Sequence, residues 1–134
     1  MVGIVIVTHG NLARDLVEVT EVIVGSCSGV IPVTIQPEEG IAEIARKVES
    51  AIKAADRGSG VLILTDLFGG TPSNVSLSFL QEDKVEVLSG INLPMLIKIA
   101  TNCDASDLKE LARLGKAAGK KNISLASEIM RKKV

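Results

Sequence analysis

The sequence contains no tryptophan, no tyrosine and only two phenylalanines, so any core has to be assembled from aliphatic side chains. Hydrophobic residues still make up 46% of the chain, and a core of Val, Ile, Leu and Ala is typical of sheets covered by helices on both faces. Cysteine occurs only at Cys27 and Cys103, far apart and outside any C-x-x-C or Cys/His grouping. That argues against a disulfide framework and against a zinc site. Both are expected to be reduced packing residues, and neither a metal nor an organic cofactor is expected.

An excess of charge of one sign is also missing. Fifteen basic residues stand against sixteen acidic ones, for a net charge of -1, and the only basic run is the short Arg131-Lys132-Lys133 tail. Nucleic acid and anionic membrane are poor candidate partners on that balance. Long apolar runs are absent as well. Ile4 to Val7 and Val61 to Leu64 are far too short to cross a bilayer, and no charged start precedes a signal-like segment. The expectation is a soluble cytoplasmic protein, with one domain spanning residues 1–134.

What is present is an alternation of two periodicities. Gly3 to Thr8 is a short β-branched run closed by Gly10-Asn11. Leu12, Leu16, Val19 and Ile23 then recur at helical spacing, and Gly25 can stop that helix in a left-handed conformation. Val30 to Ile35 reads as a second strand, and Ile41, Ile44, Ala45, Val48, Ala51 and Ile52 mark a second amphipathic helix ending near Gly58. Val61 to Thr65, apolar almost throughout, is expected to be a central strand. Gly69-Gly70-Thr71-Pro72 offers a turn, a hydroxyl at the cap position and a proline at the first helical position, so a helix is predicted from Pro72 to Leu80. Val85 to Leu88 is a fourth strand, Leu93 to Ala100 a short helix, and Ser106 is expected to cap a longer helix carrying Leu108, Leu111, Ala112 and Leu114. Asn122 to Leu125 is a candidate last strand.

Strands separated by helices of this length imply right-handed parallel β-α-β units, hence an open three-layer α/β sandwich. Ligands of such sheets sit beyond the carboxyl ends of the strands, where the strand order reverses. His9, the only histidine, falls at that end of the first strand, followed by Gly10. Asp66 falls at the equivalent end of the third. If those strands are neighbours, the carboxylate can hold one ring N–H, fix the tautomer and leave the other nitrogen free as a nucleophile. Beside them, Gly69, Gly70, Thr71 and Ser73 surround the free N–H groups of a helix start, which suits an anion and above all phosphate. Phosphoryl transfer needs little more than an aligned nucleophile and donors for the equatorial oxygens.

Three segments carry a resemblance: I-V-T-H-G at residues 6–10, T-D-L-F-G-G-T-P-S-N at 65–74 and S-G-I-N-L-P-M-L at 89–96. In this order and spacing they are similar to the signatures of the enzyme IIA domains of the mannose family of the bacterial phosphoenolpyruvate-dependent sugar phosphotransferase system (PTS). The resemblance implies a phosphohistidine carrier that accepts a phosphoryl group from HPr and passes it to an enzyme IIB, expected here on a separate chain. A membrane permease would be reached only indirectly. It implies that His9 is phosphorylated, that Asp66 orients it so that transfer runs through Nε2, and that Gly10, Gly69, Gly70, Thr71 and Ser73 surround the phosphoryl group. The family often has serine where this chain has Thr71, which keeps a hydroxyl. Asn92 and Pro94 match a segment at the site rim. They are grouped with Leu67 and Phe68, an expected exposed apolar rim, as candidate docking residues. The implied fold is a mainly parallel sheet in the order 2-1-3-4, with a short antiparallel strand, here Asn122 to Leu125, exchanged in a homodimer.

Blander readings exist for each residue. A lone histidine at a strand end is more often structural, Asp66 could cap the following turn, and Asn92 and Pro94 could simply shape a loop. The surrounding motifs reverse the first of these. A response-regulator receiver needs an acidic pair for Mg²⁺ at the end of the first strand, where this chain has Thr8-His9-Gly10. A histidine phosphatase needs a second histidine and an arginine before the first. The phosphocarrier subunit of dihydroxyacetone kinase shares the histidine position, but typically has serine after it and lacks G-G-T-P-S-N. A regulatory phosphorelay module of the same fold, serving no transporter, would carry the same residues and stays open.

Overall fold

A core limited to aliphatic side chains is satisfied by two helical layers on one sheet. The computed structural model describes residues 1–27 and 29–132. The elements run β1 (Gly3–His9), α1 (Leu12–Val24), β2 (Val30–Ile35), α2 (Ile41–Ala55), β3 (Val61–Thr65), α3 (Thr71–Leu77), β4 (Val85–Ser89), α4 (Leu93–Asn102), α5 (Leu108–Lys121) and α6 (Ala126–Lys132). The sheet has the order β2-β1-β3-β4 and every pairing is parallel. The wholly buried β3 is therefore central, as its composition predicts, and the order reverses between β1 and β3.

Strand alternation divides the core. Val5 and Val7 of β1 pack with Val33, Ile44, Val48 and Val75 under α2 and α3. Ile4 and Ile6 pack on the other face with Leu62, Leu64, Leu96, Ile99 and Leu111, under α1, α4 and α5. Two buried glycines let α4 and α5 approach closely: a Cβ on Gly115 would lie 2.5 Å from Ile99 Cδ1, and one on Gly119 2.9 Å from Met95 Cε. Cys27 and Cys103 are free. Burial pushes both thiols up, with Glu21 adding to the effect at Cys27 and Asp104 at Cys103.

The structure corrects several local expectations. Gly25 has a positive φ of 88°, but its ψ of -141° lies outside the left-handed helical region. Helix α3 begins at Thr71 with Gly70 in the cap position, and it ends at Leu77. Beyond that point Ser78, Phe79 and Leu80 donate to Val75, Ser76 and Leu77 in tighter turns, where the hydroxyls of Ser76 and Ser78 take up backbone carbonyls. Asp107, not Ser106, caps α5, its side chain accepting from Glu110 N–H at 2.8 Å. Asn122 to Leu125 forms no strand. Asn122 closes α5 through a bond to the Ala118 carbonyl, and the next residues lead as an exposed connector into α6, an element the sequence reading did not anticipate. A strand exists only when its backbone has a partner, and this segment has none within the described residues.

One close approach joins the layers at the amino end of the sheet. A Cβ on Gly3 would lie 2.2 Å from the carbonyl oxygen of Ala55, at the end of α2. Because that neighbour is backbone, Gly3→Ala is expected to lower stability by about 1–3 kcal/mol in chemical denaturation, the usual cost of overpacking a core.

Candidate functional site

The site lies at the carboxyl ends of β1 and β3. His9 is the last residue of β1, and the chain turns sharply after it because Gly10 adopts φ +56°, a conformation that favours glycine. The Gly10 N–H donates to the Ile35 carbonyl at 2.8 Å, tying the turn to the end of β2. Parallel pairing of β1 with β3, in the register Val7 to Thr65, brings Asp66 beside His9.

Asp66 accepts from three N–H groups. Its Oδ2 lies 2.8 Å from His9 Nδ1 and 3.0 Å from His9 N, and its Oδ1 lies 3.0 Å from Leu67 N. The carboxylate side chain is 11% exposed and the imidazole 54%. Partial burial pushes the Asp66 carboxyl up. The bonds from the His9 ring, His9 N–H and Leu67 N–H outweigh it, and the carboxyl titrates below its ordinary range. It is therefore ionised at neutral pH and can only accept. The ring proton must then sit on Nδ1, leaving Nε2 with its lone pair when the imidazole is neutral. Because the folded value is depressed, this contribution to stability is present above the ordinary carboxylate value of about 4 and is lost as pH falls through the folded one.

The face of the ring bearing Nε2 meets Gly70. A Cβ there would lie 2.9 Å from His9 Cε1 and 3.4 Å from Nε2. Gly70 has φ -82° and ψ 172°, which any residue adopts, so the space beside the imidazole is what requires glycine. Gly69, at φ +99°, makes the preceding turn, and Asn74 Nδ2 holds its carbonyl at 3.3 Å. At the start of α3 the N–H groups of Thr71 and Ser73 have no acceptor among the described residues. Thr71 is exposed, but Ser73 is fully buried and its hydroxyl has no partner among the described residues, which separates two hydroxyls grouped together in the sequence.

Leu67 and Phe68 are exposed beside the site, Phe68 by 74%. Leu12 and Ile41, at the first positions of α1 and α2, are exposed at the same end of the sheet; periodicity had assigned both to buried helix faces. Asn92 has a structural role. Its Oδ1 accepts from Met95 N–H at 3.0 Å, capping α4, and its Nδ2 donates to the Gly119 carbonyl at 3.0 Å, joining α4 to α5. Pro94 lies half-buried in the first turn of α4. Two buried threonines next to the site residues were not singled out by sequence. Thr8 Oγ1 accepts from Ala13 N–H at 2.7 Å. Thr65 Oγ1 donates to Ser89 Oγ at 2.8 Å, while its carbonyl takes the N–H groups of Gly90 and Ile91.

Residues 3–114 match the family model EIIA-man, described as PTS system fructose IIA component. The chain belongs to this family. It is 32% identical over 133 residues to the fructose-specific EIIA component of the PTS from Bacillus subtilis (strain 168), covering 98% of this chain and 91% of that protein. It is 35% identical over 109 residues to the sorbose-specific EIIA component from Lacticaseibacillus casei, covering 81% of this chain and 78% of that protein. The fold matches the crystal structure of a phosphotransferase system component EIIA from Streptococcus agalactiae, with a TM-score of 0.86, 29% identity, and coverage of 96% of this chain and 99% of that one. As an EIIA-man member the chain is a phosphotransferase component, of a class that transfers phosphoryl groups in sugar uptake.

Two substitutions would separate a functional role of this candidate site from folding. Gly70→Ala needs no unusual backbone angle and is expected to keep the melting temperature near wild type, while slowing phosphoryl uptake by about tenfold or more as the ring is displaced. Asn92→Ala is expected to do the reverse. It removes a cap and a tie between helices, lowering stability by about 2 kcal/mol in denaturant titration, with phosphoryl uptake unchanged at temperatures where the protein stays folded.

Proposed function

We propose that this EIIA component is a phosphohistidine carrier, accepting a phosphoryl group from phospho-HPr on His9 Nε2 and passing it to an enzyme IIB in the cytoplasm. The observation that carries this reading is the orientation of the imidazole: Nδ1 is engaged by Asp66 at 2.8 Å, and Nε2 borders the space that Gly70 leaves open. In the transfer, the Nε2 lone pair attacks phosphorus and the N–P bond to the donor's imidazole breaks, its electron pair returning to the donor nitrogen. The proton on Nδ1 stays in place, and Asp66 compensates the positive charge that develops on the ring. The second step is the same displacement, with His9 as the leaving group. Thr71 supplies a hydroxyl and the first turn of α3 supplies N–H donors to the equatorial oxygens, while Ser73 contributes through its N–H. Gly10 and Gly69 keep both flanks of the site free of side chains. Neither metal nor organic cofactor is needed for this chemistry.

Both partners must bring a residue of their own up to His9, so the rim of Leu12, Ile41, Leu67 and Phe68 is read as the docking surface, in place of Asn92 and Pro94. The whole chain is read as one IIA domain. No helix among the described residues is long and apolar enough to cross a membrane; contact with a permease is proposed to run only through the IIB partner.

We also propose a homodimer in which residues after α5 pair with a second copy. Ile123, Leu125, Ile129 and Met130 are exposed on this arm, Ile123 by 77%. The two sheet edges are occupied by different groups. On the β2 edge, Pro32 lacks an N–H and Lys47 Nζ occupies the Thr34 carbonyl, which blunts it. The β4 edge has no proline and no lysine on a carbonyl, but Val85 exchanges backbone bonds with Gln81 and the Glu86 carboxylate accepts from Val87 N–H, so pairing there is proposed for the end of the strand.

Intact-protein mass spectrometry after incubation with phosphoenolpyruvate, enzyme I and HPr tests the carrier reading. The expected outcome is an acid-labile phosphoryl adduct on wild type, none on His9→Ala, and a folded Asp66→Asn protein that acquires it about a hundredfold more slowly. An adduct that persists on His9→Ala, or no adduct on wild type while HPr is phosphorylated, would overturn it.

A further inference from the structure

β1 is a run of buried aliphatic residues up to Val7, and then, at Thr8, it carries an equally buried hydroxyl. Alternation along the strand puts Thr8 on the face of Ile4 and Ile6, under α1, α4 and α5. Valine has the same shape and would fill that space, so packing does not account for the hydroxyl. The Ala13 backbone does. Ala13 is the second residue of α1 and is itself fully buried, so water cannot reach its N–H. Asn11, which occupies the cap position, makes no side-chain cap bond. Thr8 Oγ1 takes that role from the preceding strand, at 2.7 Å.

This bond closes the chain between Thr8 and Ala13 into a turn, and His9 lies inside it. Two other bonds hold the same turn: Gly10 N–H on the Ile35 carbonyl at 2.8 Å, and His9 N–H on Asp66 Oδ2 at 3.0 Å. The first ties it to β2 and the second to the residue following β3, whereas Thr8 alone among them ties it to the helix that follows. Without that tie the start of α1 is free to draw away from the end of β1, taking Gly10 and the His9 backbone with it. The Nδ1 to Asp66 distance and the approach of Nε2 to Gly70 both depend on where that backbone sits.

We propose that Thr8 is a positioning residue for phosphoryl transfer, acting through His9 by anchoring the strand-to-helix turn that carries it. This rests on the reading of His9 as the phosphoryl acceptor. A mere helix cap would affect stability alone, so the test needs a readout that stability does not move.

Single-turnover uptake from phospho-HPr is measured for wild type, Thr8→Val and Thr8→Ser, below the melting temperature of each, together with the ring-nitrogen NMR signals that report the His9 tautomer. Thr8→Val is expected to slow uptake roughly ten- to a hundredfold and to reduce the population with the proton on Nδ1, and Thr8→Ser to restore the rate to within about threefold of wild type. Thr8→Val transferring at the wild-type rate, or Thr8→Ser as slow as Thr8→Val, would overturn the proposal; the second result would assign the effect to the γ-methyl group. Should Thr8→Val fail to fold, Thr8→Cys, similar in size but a weak acceptor, replaces it with the same expectations. If wild type takes up no phosphoryl group, the carrier reading fails, and the tautomer comparison still decides the role of Thr8: an unchanged signal in the variant lacking the oxygen rejects it.

Discussion

A single hydrogen bond across the point where the strand order reverses, from His9 Nδ1 to Asp66 Oδ2 at 2.8 Å, makes demands on most of this structure. It joins residues 57 positions apart in the chain, so it exists only because β1 and β3 are neighbours and parallel. It also depends on register. With Val7 opposite Thr65, β1 runs two residues past the end of β3, and its last residue, His9, meets Asp66, the first residue after β3. A one-residue slip would turn every side chain of one strand to the other face, exchanging core and site at once. The two aliphatic layers that make this slip costly are thus also what hold the imidazole at its carboxylate.

Around this bond the site is built largely from backbone. Asp66 takes two of its three hydrogen bonds from main-chain N–H groups, the turn after His9 is pinned by main chain to β2, and the face of the ring bearing Nε2 is bounded by a glycine. Backbone groups carry little rotamer freedom, so the geometry is set when the strands pair and costs little to maintain. Such preorganisation suits an intermediate in a transfer chain, which gains from a nucleophile held ready and from a phosphoryl group held no more tightly than its donor holds it. Fold alone does not settle this, since open α/β sheets host many chemistries; the pairing of one imidazole with one carboxylate at the reversal is what makes the EIIA membership chemically intelligible.

The edges of the molecule repeat the theme of local chemistry serving a distant constraint. Pro32 and the Lys47 ammonium close one side of the sheet to further strands. The β4 edge is blunted in another way, with Val85 exchanging backbone bonds with Gln81 and the Glu86 carboxylate accepting from Val87 N–H. After α5 the chain continues as an arm that exposes four large apolar residues.

Much of this was readable before any coordinates. The four strands, five of the helices, their parallel arrangement and the central place of β3 follow from hydrophobic period and turn residues, which act within a few positions of one another, while the strand order came from the family resemblance. The pairing of His9 with Asp66 was also legible, because both stand at strand ends of an alternating α/β chain. What sequence misjudged were choices between neighbours of similar propensity, or questions about partners. Ser106 and Asp107 are both good caps, and only the approach of Glu110 N–H selects the second. Thr71 and Ser73 look alike in the chain, yet helix rotation exposes one and buries the other. Asn122 to Leu125 has strand composition and no strand, because a strand needs a second backbone that the described chain does not supply. Asn92 sits in a motif beside the site, but its amide is spent on capping α4 and holding α5. The amino-acid order by itself determined most of the elements and which imidazole and carboxylate stand at the strand ends, since these depend on local spacing and chemical type. Tertiary structure alone decided which hydroxyls, amides and glycines serve the imidazole, since that depends on distances between residues remote in the chain.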